Sequence, residues 1–186
     1  MSLFEYVTVM ISMILALSFG HLLTTISFLF RTGRPVKWHG PYSLWLACIL
    51  LTLINHWWAL WDFNAIEWDY GAFLYILIAP TLIAFAVGLL TLDRAGRNEV
   101  DLARHYARIR PLFLAVFFVY VLAMWFDGAL LAGQNPMGPV GLLHVPMLAV
   151  ISGAYASKKV WANVLAPLVV ILTLLSIMAV RSLGLI

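Results

Sequence analysis

Residues 41–62 read PYSLWLACILLTLINHWWALWD, a run with no Lys or Arg and a single acid, Asp62, at its last position. As a helix rising 1.5 Å per residue it would be about 33 Å long, enough to cross a hydrocarbon core about 30 Å thick. Similar runs recur along the chain, and the sequence predicts transmembrane helices over 3–30, 41–62, 71–92, 111–133, 139–156 and 160–180. The composition agrees. The 186 residues are 64% hydrophobic and 10% charged, against roughly 45–50% apolar and about 25% charged in soluble domains. The fold class that follows is an all-α integral membrane protein, a six-helix bundle in a single domain, 1–186. The first run lacks a basic start, carries Glu5 and exceeds a signal-peptide core in length, so it reads as a retained helix.

The connections are short. The longest, about 93–110, mixes charge signs and spaces Val100, Leu102, Ala103 and Tyr106 as a short amphipathic cytoplasmic helix would. Basic residues fall in alternate loops: Arg31, Arg34 and Lys37; then Arg94, Arg97, Arg104, Arg108 and Arg110; then Lys158 and Lys159. Only Arg181 departs from that pattern, and the loop holding Asp62, Glu67 and Asp69 has no basic residue. Positive-inside asymmetry then sets those loops in the cytoplasm and both termini outside. It also accounts for the net charge of +3 without nucleic acid, the Arg side chains facing anionic lipid instead. So compact a chain, with no recognisable eukaryotic targeting signal, is expected in a bacterial inner membrane. Trp57, Trp58, Trp61, Trp68 and Trp125 read as an outer aromatic belt, and Trp38, Trp45 and Trp161 as an inner one. The lone Cys48 excludes an intrachain disulfide.

Two stripes carry packing information. Ser12, Ala16 and Gly20 form a small-xxx-small face on the first helix, expected at the bundle centre or at a subunit contact. Partners besides the bilayer would then be further copies in a homo-oligomer or a larger membrane complex. On the second helix Cys48, Thr52, Asn55, His56, Ala59 and Asp62 share one polar face, which should meet protein or water rather than lipid. Similar settings for Pro80 (LIAP) and Pro167 (VLAP) raise a 3+3 inverted repeat, although proline is common in membrane helices for other reasons.

Four acidic or histidine side chains lie within spans away from their ends: His21, His56, Asp127 and His144. An Asp at mid-helix costs roughly 2.5–3.5 kcal/mol on insertion scales, so such groups face a bundle interior or a wet cavity. By helical rise, His56, Asp127 and His144 fall at one depth in the outer third, and His21 lies deeper. Asn55, His56, Asp127 and His144 are thus the expected polar site, with His21 as an outlier. Protonatable groups there suit ion or proton conduction or transport. A haem- or quinone-associated redox subunit is the alternative, in which His56 and His144 would ligate haem b, or Met124 and Met147 would join them around copper. A third reading is an accessory subunit without chemistry. No metal-ligand, nucleotide or serine-hydrolase motif is present, so no cofactor and no enzymatic activity are expected from motifs. The threading is directly testable: a reporter fused after Ile186 should be active outside the cell and one near Gly96 inside. The reverse pattern would invert every depth assigned above.

Overall fold

The computed structural model describes residues 3–92 and 99–182. Among these, six helical stretches are long and apolar enough to cross a membrane, in agreement with an all-α membrane bundle. They comprise α1 (Leu3–Arg31), α2 (Gly40–Ala59, continued by a 3-10 turn Leu60–Phe63), α3 and α4 (Tyr70–Ile76 and Ile78–Leu90), α5 (Leu102–Ala132), α6 and α7 (Pro139–Leu142 and His144–Ala156) and α8 (Val160–Ser182). Two-residue strands β1 (Val36–Lys37) and β2 (Val100–Asp101) pair in parallel and tie two loops together at the basic end.

The expected surface helix over 93–110 is corrected. Residues 93–98 lie outside the described residues, and from Leu102 onward the chain is already α5, continuous through Pro111. Leu102, Tyr106 and Ile109 recur on one face and are buried in the bundle, which makes this stretch the first turns of a spanning helix.

Around the bundle α1 packs on α2 and α4, α2 on α8, α8 on α7, α7 on α5, and α5 on α4. Helix α2 also touches α4 and α5, so it occupies the middle. That order lacks the symmetry of a 3+3 exchange. The α2 contact with α8 would require one between α6/α7 and α3/α4, which is not among the principal packings. The two prolines also differ. The span carrying Pro80 breaks at Leu77, whereas α8 runs unbroken through Pro167. The actual counterpart of Pro80 is Pro146, three residues after the break at Leu143. In both spans proline has no N–H for the carbonyl four residues earlier, and its ring crowds that carbonyl.

Helix α1 buries Val7, Ile11, Leu15, Ser18, Leu22, Thr25 and Leu29, a seam with coiled-coil spacing. The hydroxyls of Ser18 and Thr25 donate to Ile14 and His21 carbonyls of their own helix, which removes the penalty of unpaired groups on that seam. The small-residue stripe lies elsewhere. Ser12 is half-buried and accepts from the Trp57 indole at 3.2 Å, while Ala16 and Gly20 are exposed. A Cβ at Gly20 would meet nothing within 4 Å. The expectation that this stripe packs at the bundle centre is therefore corrected: Ser12 meets α2 at its edge, and Ala16 and Gly20 point away from their own chain. Trp45 is corrected as well, being a fully buried core residue rather than a belt residue, whereas Trp38 and Trp161 are exposed as a belt requires. On this geometry Gly20→Leu should leave the monomer's stability within about 0.5 kcal/mol, whereas Leu22→Ala should lower it by about 2–5 kcal/mol. Unfolding titrations in mixed detergent micelles would read both, and a large loss for Gly20→Leu would return the stripe to the interior.

Candidate functional site

At the end of the bundle opposite the strand pair, α2, α5, α6/α7 and α8 enclose a cavity of about 660 Å³. Asn55 comes from α2, Met124 and Asp127 from α5, and His144 and Met147 from α7. The sequence placed Asn55, Asp127 and His144 at one depth, with Met124 and Met147 one turn away, and the structure brings all five to one cavity. His56 is not on that wall. It is buried one position behind Asn55, and its Nδ1 is hydrogen-bonded to the Tyr120 hydroxyl at 3.2 Å, with the direction set by the ring tautomer. Tyr120 does line the cavity and so connects His56 to it. His21 does not join them: it lies on the exposed face of α1, away from the cavity, which corrects its inclusion in the site.

Each side chain is held by local structure. Asp127 is 4% exposed and lies beside Tyr75, which α3 carries just before the break at Leu77 and whose hydroxyl donates to the Ala123 carbonyl at 3.4 Å. The imidazole of His144 sits at the second helix break, where Nδ1 lies 3.2 Å from the carbonyls of Val140 and Gly141. Its other flank stacks on Trp125, the ring planes 3° apart. Trp125 in turn donates from Nε1 to the Pro136 carbonyl at 2.8 Å and so anchors the 133–138 loop over the cavity. That loop leaves α5 through Gly133, whose φ of 62° is left-handed, with Gln134 N–H bonded back to the Gly128 carbonyl at 2.9 Å.

Two buried side-chain atoms at this site, Asn55 Oδ1 and His56 Nε2, have no hydrogen-bond partner among the described residues. Native structures seldom leave buried polar atoms unpaired, and at functional sites such atoms commonly meet water or ligand. Among the described lining residues are two carboxylates, Asp62 and Asp127, and no Lys or Arg. Trp58, Tyr120 and Trp125 add aromatic faces. This is a cation-attracting surface.

Below the cavity the bundle is closed. Trp45 lies between Phe113 and Phe117 with ring centroids at 5.0 and 5.2 Å, both edge-on, and all three are fully buried. Phe117 stacks on Tyr120 at 5.6 Å, so the aromatic layer begins at the cavity floor. The sequence reading missed Tyr75, Tyr120 and this layer. The signal for part of it was present: Phe113, Phe117, Tyr120, Met124 and Asp127 repeat at steps of four and three on α5 and share its inward face.

Comparison with known protein families, curated proteins and solved structures gave no match. Function must be argued from the site itself. One local constraint can be checked first. A Cβ at Gly141 would overlap the Pro136 carbonyl, so Gly141→Ala must displace the cavity's covering loop. The change should cost about 1–3 kcal/mol and increase labelling of a cysteine placed at Asn135. Unaltered stability and labelling would mean that the loop sits further from α6 than described.

Proposed function

We propose that the protein is a small secondary transporter of protons or small cations in a bacterial inner membrane. The cavity opens to the outside, and Asp127 is the group that binds or is neutralised. The observation carrying this reading is Asp127 itself, a carboxyl 4% exposed yet set in the wall of a cavity of about 660 Å³. An ionisable side chain at that position in a span is costly and serves function by default. Asn55 Oδ1 offers a further acceptor, and the aromatic faces around it favour a cation over an anion.

Transport is favoured over open conduction by what lies beneath. On α5, Tyr106 belongs to the basic-end surface and Tyr120 to the acidic-end cavity, fourteen residues apart and hence separated by roughly 21 Å of helix. Trp45, Phe113 and Phe117 fill the interval. A static pore would need a wetted path there, whereas alternating access needs one closed layer at a time. The helix breaks at Leu77 and Leu143 flank the site, an arrangement that transporters with discontinuous helices also use. A second reading rests on a separate observation: His144, Met124 and Met147 share this cavity, a soft donor set that suits Cu(I). Haem ligation by His56 and His144 has only His144 at the wall.

Asp127→Asn preserves size and hydrogen bonding but removes the ionisable group. In proteoliposomes it should weaken cation binding roughly ten- to hundredfold and abolish the pH dependence of flux, with helical content intact by circular dichroism. Flux with an unchanged pH profile would overturn the proposal. For copper, Met124→Leu with Met147→Leu should abolish Cu(I) retention against a chelator and leave proton flux intact.

A further inference from the structure

A second cavity, of about 330 Å³, lies at the basic end. We infer that it holds the phosphate of an anionic phospholipid headgroup. It is formed where α2, α5 and α8 begin, with His39, Arg110 and Lys158 around it and Ala103, Ala107 and Val160 as its small apolar walls. Arg110 uses Nη1 to donate to the carbonyls of Ala154 (2.9 Å) and Ser157 (2.7 Å), which caps the end of α7. Its remaining N–H groups have no partner among the described residues, and neither Arg110 nor Lys158 has a carboxylate partner there. The described acids at this end are engaged elsewhere. Asp101 caps α5 by accepting from Arg104 N–H at 2.9 Å, and Glu99 pairs with Lys37 at 2.9 Å.

Two helix starts add to the positive potential of these side chains. His39 precedes α2 without a side-chain cap, and neither α2 nor α8 has an acid in its first turn. Each start contributes about half a positive charge, and the end of α7 takes back about half. Even with Asp101 nearby, the balance around the cavity stays positive. Burial lowers the His39 pKa and Asp101 partly opposes that shift, so the ring serves as a neutral polar contact. Three observations favour a lipid over a soluble phosphate compound. Exposed Trp38 and Trp161 mark headgroup level at this end. The small apolar walls suit a glycerol backbone rather than a hydrated ion. Finally, Val160, Leu165 and Leu168 are exposed on α8, where an acyl chain would lie. Basic pockets between spans on the cytoplasmic side are where anionic headgroups bind. This site is independent of Asp127.

The test uses the full chain purified in a neutral detergent, titrated with phosphatidylglycerol or phosphatidylcholine and read by native mass spectrometry. Phosphatidylglycerol should bind more tightly. Lys158→Gln should weaken it roughly fivefold, and Ala107→Leu, which fills the cavity without changing charge, should weaken it as well. Arg31→Gln, an equal charge change at the same end but away from the cavity, should not. Equal affinity for the two lipids, or equal losses in Lys158→Gln and Arg31→Gln, would overturn the site. Full displacement of phosphatidylglycerol by millimolar inorganic phosphate would overturn the lipid assignment in favour of a soluble phosphate.

Discussion

The bundle is organised by the way Trp45 is buried. An indole in a dry interior needs a partner for its N–H, and here Nε1 donates to the Tyr106 hydroxyl at 3.1 Å. Tyr106 donates onward to Asn163 Oδ1 at 3.1 Å, and the Asn163 amide donates to the carbonyls of Ser157 and Lys159. One chain of hydrogen bonds therefore joins α2, α5, α8 and the end of α7. Lipid offers no competing partner, so every group in that chain must be satisfied by protein. The basic end is clamped in this way and the Phe113 and Phe117 rings pack on Trp45, and the larger of the two cavities lies at the other end.

The same rule explains which polar residues are structural and which are available. Thr52, Ser18 and Thr25 donate back into their own helices and leave nothing for a ligand. Tyr42 is fully buried and gives its proton to the Leu90 carbonyl at 2.6 Å, closing a helix end. Asn55 and His56 differ in keeping unpaired atoms inside the bundle. Asn55 lines the cavity while its Oδ1 is buried, and His56 stands behind it on the Tyr120 hydroxyl, so polarity continues from the wall into the protein.

Much of this could be read from the chain. Length and hydropathy are local properties, and they located six apolar spans, although the fourth begins at Leu102 rather than at 111; Asn55, Asp127 and His144, expected at one level, line one cavity. Which helices are neighbours is not local, and the stripe of Ser12, Ala16 and Gly20 illustrates the difference. Small residues permit close approach, but they do not determine which side of a helix is used. The larger residues Ile11, Leu15 and Leu22 took the inner face of α1 because they fill the groove against α4 and α2. Proline was ambiguous for a related reason. Pro80 and Pro146 interrupt their spans, while Pro111 and Pro167 sit in continuous helices. The residue is identical in each case, and the outcome depends on whether surrounding packing holds the helix across the missing hydrogen bond.

The two interruptions lie beside the candidate site. In each, a proline removes the usual donor of the carbonyl four residues earlier, that of Ile76 or of Leu142. At the first, the Leu77 carbonyl accepts from both the N–H and the hydroxyl of Thr81, and Tyr75 just before the break lies next to Asp127. At Leu143 the His144 ring approaches the carbonyls of Val140 and Gly141. At these points a shorter segment at the cavity end meets a longer helix, and bending is easiest where the hydrogen-bond ladder is already open. Tyr75, in the segment before one break, lies next to Asp127, and His144 begins the helix after the other, so both residues stand in the part of the bundle least constrained by the Trp45 network.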